Sequence, residues 1–146
     1  MTRITSSVVL LVMFLAGCGE DPVEPVVAND VLVLTQTPRL DWHPEALFRG
    51  TLRVDGAGCL RIVAPSPDDA TVVWPTGTTL WTGDGAFVVR NGFGRDMHTI
   101  GDRITFGGGY LSSLADVSDL SSGERQSVQA RCPGAYWLVT PGTIGG

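Results

Sequence analysis

From residue 46 onward, apolar and polar residues alternate in short runs broken by turn residues. Phe48, Gly50, Leu52 and Val54 fall on one side of a two-residue period, and Leu47, Arg49, Thr51 and Arg53 on the other. Polar residues dominate the second set, so the segment predicts a strand with one buried face. Asp55-Gly56-Ala57-Gly58 is a turn, and Cys59 to Val63 is the returning strand of a hairpin. Pro65 to Asp69 breaks the chain. Further strands are expected over Thr71 to Trp74, Thr78 to Thr82, Ala86 to Arg90, Met97 to Ile100 and Arg103 to Phe106. Gly83-Asp84-Gly85, Asn91-Gly92 and Gly101-Asp102 supply turns between them, and Gly107-Gly108-Gly109 ends the last.

Leu114, Val117 and Leu120 are spaced by three, and Ser113 with Asp116 forms a weak capping box, which predicts a short helix over 113–120. Ser121 to Glu124 reads as a loop. Ser127 to Cys132 and Ala135 to Thr140 read as closing strands split by Pro133-Gly134. Short strands at this spacing predict an all-β fold: a small OB-like barrel, or a sandwich, of five to seven strands.

The first residues follow a different pattern. Arg3 precedes a continuous apolar run from Val8 to Leu15, far short of the roughly 20 residues that a spanning helix needs. Leu15-Ala16-Gly17-Cys18 follows, and it resembles the lipobox of bacterial lipoproteins. The resemblance implies that residues 1–17 are a signal peptide, that Cys18 is lipidated, and that the membrane is reached through that lipid. Gly19 stands where aspartate retains family members at the inner membrane, so an outer membrane is favoured if the cell has one. Residues 18–45 read as an acidic, proline-rich tether, 46–140 as the β domain and 141–146 as a tail. Val31 to Leu34 interrupts the tether as either a strand on the domain edge or a sticky linker segment, the strand being preferred.

The composition is that of a folded domain: 43% hydrophobic, 17% charged, with 19 glycines and 9 prolines that favour turns over helices. Ten basic residues, all arginine, face fifteen acidic ones. A net charge of −5 gives no overall attraction to nucleic acid or anionic head groups, so no nucleic-acid partner is expected. With Cys18 assigned to lipid, Cys59 and Cys132 remain as a pair. In an exported protein a pair reads as a disulfide.

Candidate chemistry is sparse. Asp41-Trp42-His43-Pro44-Glu45 is the densest polar cluster, but Pro44 and the lack of an i, i+4 histidine pair argue against a zinc helix. His98, near Asp96 and Asp102, has the composition of a general base with its orienting carboxylate, or of a plain loop histidine. Gly92-Phe93-Gly94 lacks the strand-to-helix context and the lysine of a phosphate loop. Asp68-Asp69 and Asp84-Gly85 lack the ligand series of a calcium loop, and no metal or other cofactor is expected.

Trp74, Trp81 and Trp137 are the best binding hint, since aromatics on one barrel face stack on sugars or side chains. Core filling is the preferred reading for Trp74 and Trp137, whereas Thr79 and Thr82 around Trp81 suggest exposure. Trp81, Arg95 and His98 are therefore the candidate ligand-binding residues. Gly58-Cys59-Leu60-Arg61, Val73-Trp74-Pro75-x-Gly77, Gly101-Asp102-Arg103-Ile104 and Gly107-Gly108-Gly109 together resemble small bacterial lipoprotein β domains. Those motifs are turns and core positions, so the resemblance implies no active site. The expected function is a non-enzymatic binding or structural module in the cell envelope, partnered by an envelope protein or polymer. The alternative is a small lipid-tethered hydrolase using His98 or His43.

Overall fold

The computed structural model of this chain describes residues 30–37, 46–65, 69–83 and 86–141. Residues 1–29, with the expected leader, Cys18 and the start of the expected tether, lie outside the described residues, as do the Asp41 to Glu45 cluster with His43, Asp68, Asp84-Gly85 and residues 142–146 of the expected tail. No helix among the described residues is long and apolar enough to cross a membrane.

The alternating segment forms strand β2 (Ala46–Val54), which runs antiparallel to β3 (Leu60–Val63). The turn between them is tied by Asp55, whose Oδ1 accepts from the backbone N–H groups of Ala57 at 3.0 Å and Cys59 at 2.9 Å. Gly58 takes a positive φ of 78° there, and a Cβ on it would lie 2.1 Å from the Asp30 carbonyl oxygen. Only glycine lets the residue 30 segment pack this closely.

Strand β3 pairs antiparallel with β4 (Ala70–Pro75). On its other edge β2 pairs antiparallel with β8 (Arg103–Leu111), and β8 with β9 (Ala135–Val139). A parallel pairing of β9 with β4 closes the ring β4–β3–β2–β8–β9. This is a five-stranded barrel, and the fold is the all-β small barrel that the alternation predicts. Closure leaves few free edges to pair with other chains.

The barrel interior is filled by Phe48, Leu52, Ile62, Trp74, Phe106 and Trp137, among others. Trp74 stands edge-on to Phe106 with centroids 5.0 Å apart, so Trp74 and Trp137 are core residues. Strand β4 is buried from Ala70 to Trp74 on both faces. Its outward Val73 packs in a second cluster with Leu34, Leu114, Val117, Val128, Tyr136 and Leu138.

The Val31 to Leu34 region does join the sheet. Strand β1 (Leu34–Gln36) runs parallel to the end of β4, and Leu32 bridges to Cys59. Between β4 and β8 the chain forms a separate antiparallel ribbon of β5 (Thr79–Gly83), β6 (Ala86–Arg90) and β7 (Asp96–Thr99).

Two local expectations are corrected. Leu114–Asp116 is a single 3₁₀ turn in the predicted place, but Ser122–Arg131 is an α-helix, α1, rather than a loop and a strand. Its N-terminus carries a full capping box, with Ser121 Oγ accepting from Glu124 N–H and Glu124 accepting from Ser121 N–H. Gly107-Gly108-Gly109 does not end a strand; β8 runs through it. A Cβ on Gly108 would sit 2.0 Å from the Leu138 carbonyl oxygen, so the glycine run is what lets β9 approach.

Cys59 and Cys132 are joined by a disulfide, with Cα atoms 5.8 Å apart and a sequence separation of 73. It ties the start of β3 to the C-cap of α1, which holds the helix against the barrel.

Candidate functional site

The ribbon has two unlike faces. Leu80, Val89 and His98 stand in register across it, and Val89 is buried with the barrel core. Trp81 and Val88 form the neighbouring row and point away. Trp81 is 41% exposed.

Its ring is nonetheless held. The Arg90 guanidinium lies 4.0 Å from the ring centroid, and Arg90 Nε is 2.5 Å from Asp96 Oδ1. Gly83 lies under the ring: a Cβ there would come within 1.7 Å of it. Strand alternation puts Trp81, Gly83 and Arg90 on one side, so a flat aromatic platform lies against the ribbon.

The β6–β7 turn is built by Asn91, whose Oδ1 accepts from the N–H groups of Phe93 and Arg95, both at 3.0 Å. This fixes the Gly92-Phe93-Gly94 loop as a turn. Phe93 projects from it, 91% exposed. Arg95 closes the turn and is exposed.

His98 lies on the opposite face from Trp81. Its ring stands edge-on to Phe106 with centroids 5.2 Å apart, and its Nε2 is buried without a hydrogen-bond partner. Burial lowers its pKa from the ordinary value, against the opposing charge of Asp102. Burial thus favours the neutral imidazole. Trp81, Arg95 and His98 all belong to the ribbon and its turn, but they occupy its outer face, its turn and its inner face, and do not converge. Among the described residues no group of three or more His, Cys, Asp or Glu could hold a metal ion.

A second feature lies on the barrel wall. An open cleft of about 590 Å³ is lined by Arg49, Thr51, Val63, Pro65, Arg103 and Thr105 among others. Its two arginines come from adjacent strands: Thr51 pairs with Arg103 and Arg49 with Thr105. The even outward spacing of Arg49, Thr51 and Arg53 was visible in the alternation. The placing of Arg103 beside them was not, because it depends on the β2–β8 register. This qualifies the inference from net charge: the chain is acidic overall, but arginines gather on one face.

The chain matches no protein family, no curated protein and no solved structure.

Proposed function

We propose that this protein is a lipid-anchored component of the cell envelope whose disulfide-stapled barrel carries a non-enzymatic binding surface on the β5–β7 ribbon. The observation that carries the reading is Trp81. A tryptophan normally fills the core of a small domain, as Trp74 and Trp137 do here. Trp81 is instead turned outward and braced by Arg90 and Gly83. A rigid exposed aromatic loses little entropy when a partner packs on it. The partner class is an envelope polymer or protein.

Lipid attachment rests on the Leu15-Ala16-Gly17-Cys18 motif, and the disulfide agrees with an oxidising compartment. Acyl chains on Cys18 would anchor the protein durably, at about 0.8 kcal/mol per buried CH₂. Use of His98 as a general base would require its ring to face a substrate, and the ring packs on Phe106 instead.

The anchor is tested by labelling cells with radioactive palmitate: Cys18→Ser should lose label and remain unprocessed, and normal labelling of that variant refutes the anchor. The surface is tested by titrating isolated envelope polymers and following tryptophan emission, with Trp81→Phe as the blank. A response confined to the wild type is expected. Equal responses from both proteins would refute the ribbon as the contact surface.

A further inference from the structure

Apart from Arg95 in the β6–β7 turn, the arginines among the described residues divide into two groups. The Arg61, Arg90, Arg125 and Arg131 side chains have protein partners: Asp55 for Arg61, Asp96 for Arg90, and backbone carbonyls for Arg125 and Arg131. The Arg49, Arg53 and Arg103 side chains have no hydrogen-bond or ion-pair partner among the described residues, although they share one face of the β2–β8 sheet. Guanidiniums on one sheet face repel one another, and among the described residues no carboxylate pairs with these three.

Arg49 and Arg103 stand at diagonal positions across the β2–β8 pair, with Cα atoms about 7–8 Å apart. Both side chains border the same cleft, so an anionic chain lying along it can meet the two guanidiniums in turn. Thr51 and Thr105 lie between them, and Val63 and Pro65 give the cleft an aliphatic wall. Guanidinium forks, hydroxyls and an aliphatic surface are the groups that complement a carboxylate, a ring of hydroxyls and the C–H face of a pyranose.

We propose that the Arg49–Arg103 cleft binds an acidic oligosaccharide through the carboxylates of its uronic acid residues. Nucleic acid fits less well, because no aromatic ring among the described residues lines the cleft to stack on bases. A bilayer surface fits less well, because the site is concave. A net charge of −5 also disfavours densely charged phosphate polymers more than a sparsely charged glycan. The cleft lies on the barrel, apart from the Trp81 face, so this site stands or fails independently of the ribbon.

The test is calorimetric titration of the full-length protein in phosphatidylcholine nanodiscs, free of detergent, with tetragalacturonate, its methyl ester, inorganic polyphosphate and phosphatidylglycerol vesicles. Tetragalacturonate should bind, and the uncharged ester should bind at least about tenfold more weakly. Arg49→Gln and Arg103→Gln should each weaken binding about tenfold, because each removes a charge-assisted fork. Arg53→Gln removes the same charge from the same face but does not line the cleft, and should cost no more than about threefold. All three positions are exposed, so melting midpoints should match the wild type. The proposal is overturned if the ester binds as tightly as the acid, or if Arg53→Gln is as damaging as the cleft variants. It is overturned equally if polyphosphate or vesicles bind more tightly than tetragalacturonate, or if tetragalacturonate does not bind.

Discussion

Arg90 lies over Trp81, 4.0 Å from its ring centroid, while Asp96 holds the same guanidinium through Nε at 2.5 Å. The aromatic platform is thus set by a three-member chain that spans all three ribbon strands. A cation over an exposed tryptophan contributes about 0.5–1 kcal/mol. A double-mutant cycle of Trp81→Ala and Arg90→Ala should return a coupling of about that size in chemical denaturation. A coupling indistinguishable from zero would show that the contact does not hold the ring.

Gly83→Ala should lift the ring without harming the barrel. A Cβ at Gly83 would meet the ring at 1.7 Å, so the indole must move into solvent. Red-shifted Trp81 emission is expected, together with loss of the polymer response and a small change in melting temperature. Unaltered emission would mean that the ring does not rest on Gly83.

The Cys59–Cys132 disulfide closes a loop with a sequence separation of 73. Chain entropy alone gives such a bridge about 4 kcal/mol, an upper-end figure. Replacing both cysteines by serine should lower the unfolding free energy by a large part of that amount. Hydrogen exchange in α1 should rise first, because the helix buries only Val128 through its own side chains. A doubly substituted protein of native stability would contradict this.

Stability should fall in two separate steps as pH is lowered. His98 has a folded pKa below its ordinary 6.5, chiefly through burial. Its contribution is complete above the unfolded value and is lost as pH falls from there toward the folded one, because the unfolded chain takes up the proton first. Asp119 behaves in the acid range. Burial, the largest single influence, raises its pKa, but the hydrogen bonds from Thr37, Thr76 and Ser118 together outweigh it and lower the pKa. Its contribution is present above the ordinary 3.8 and is lost as pH falls below that. Melting temperature followed against pH should show both steps, and His98→Gln should remove only the upper one. Persistence of the upper step in that variant would assign it to another group.

Much of the barrel was legible locally. The alternation in β2, the Asp55 turn and the cysteine pair each point to one structure without help from the rest of the chain. So does the contrast between Trp81 among threonines and Trp74 in an apolar run. The helix α1 was misread because Val128, Ala130 and Cys132 recur with the period of a strand. The capping box at Ser121 and Glu124, which fixes its start, was the better signal. The glycine run in β8 was misread because glycines that permit a turn are the same glycines that permit close strand approach.

By itself, then, the sequence determined most of the strands and which faces of them are wet, because side-chain alternation is a property of adjacent residues; it did not separate α1 from a strand. It also marked the pair of cysteines available for bonding. Only the tertiary structure decided which strands are neighbours. Ring closure by β4 and β9, the docking of β1 and the split of Trp81 from His98 across the ribbon all depend on pairing between segments far apart in the chain. The arginine cleft depends on it most. Arg49 and Arg103 are 54 positions apart, and the β2–β8 register alone places them on one wall.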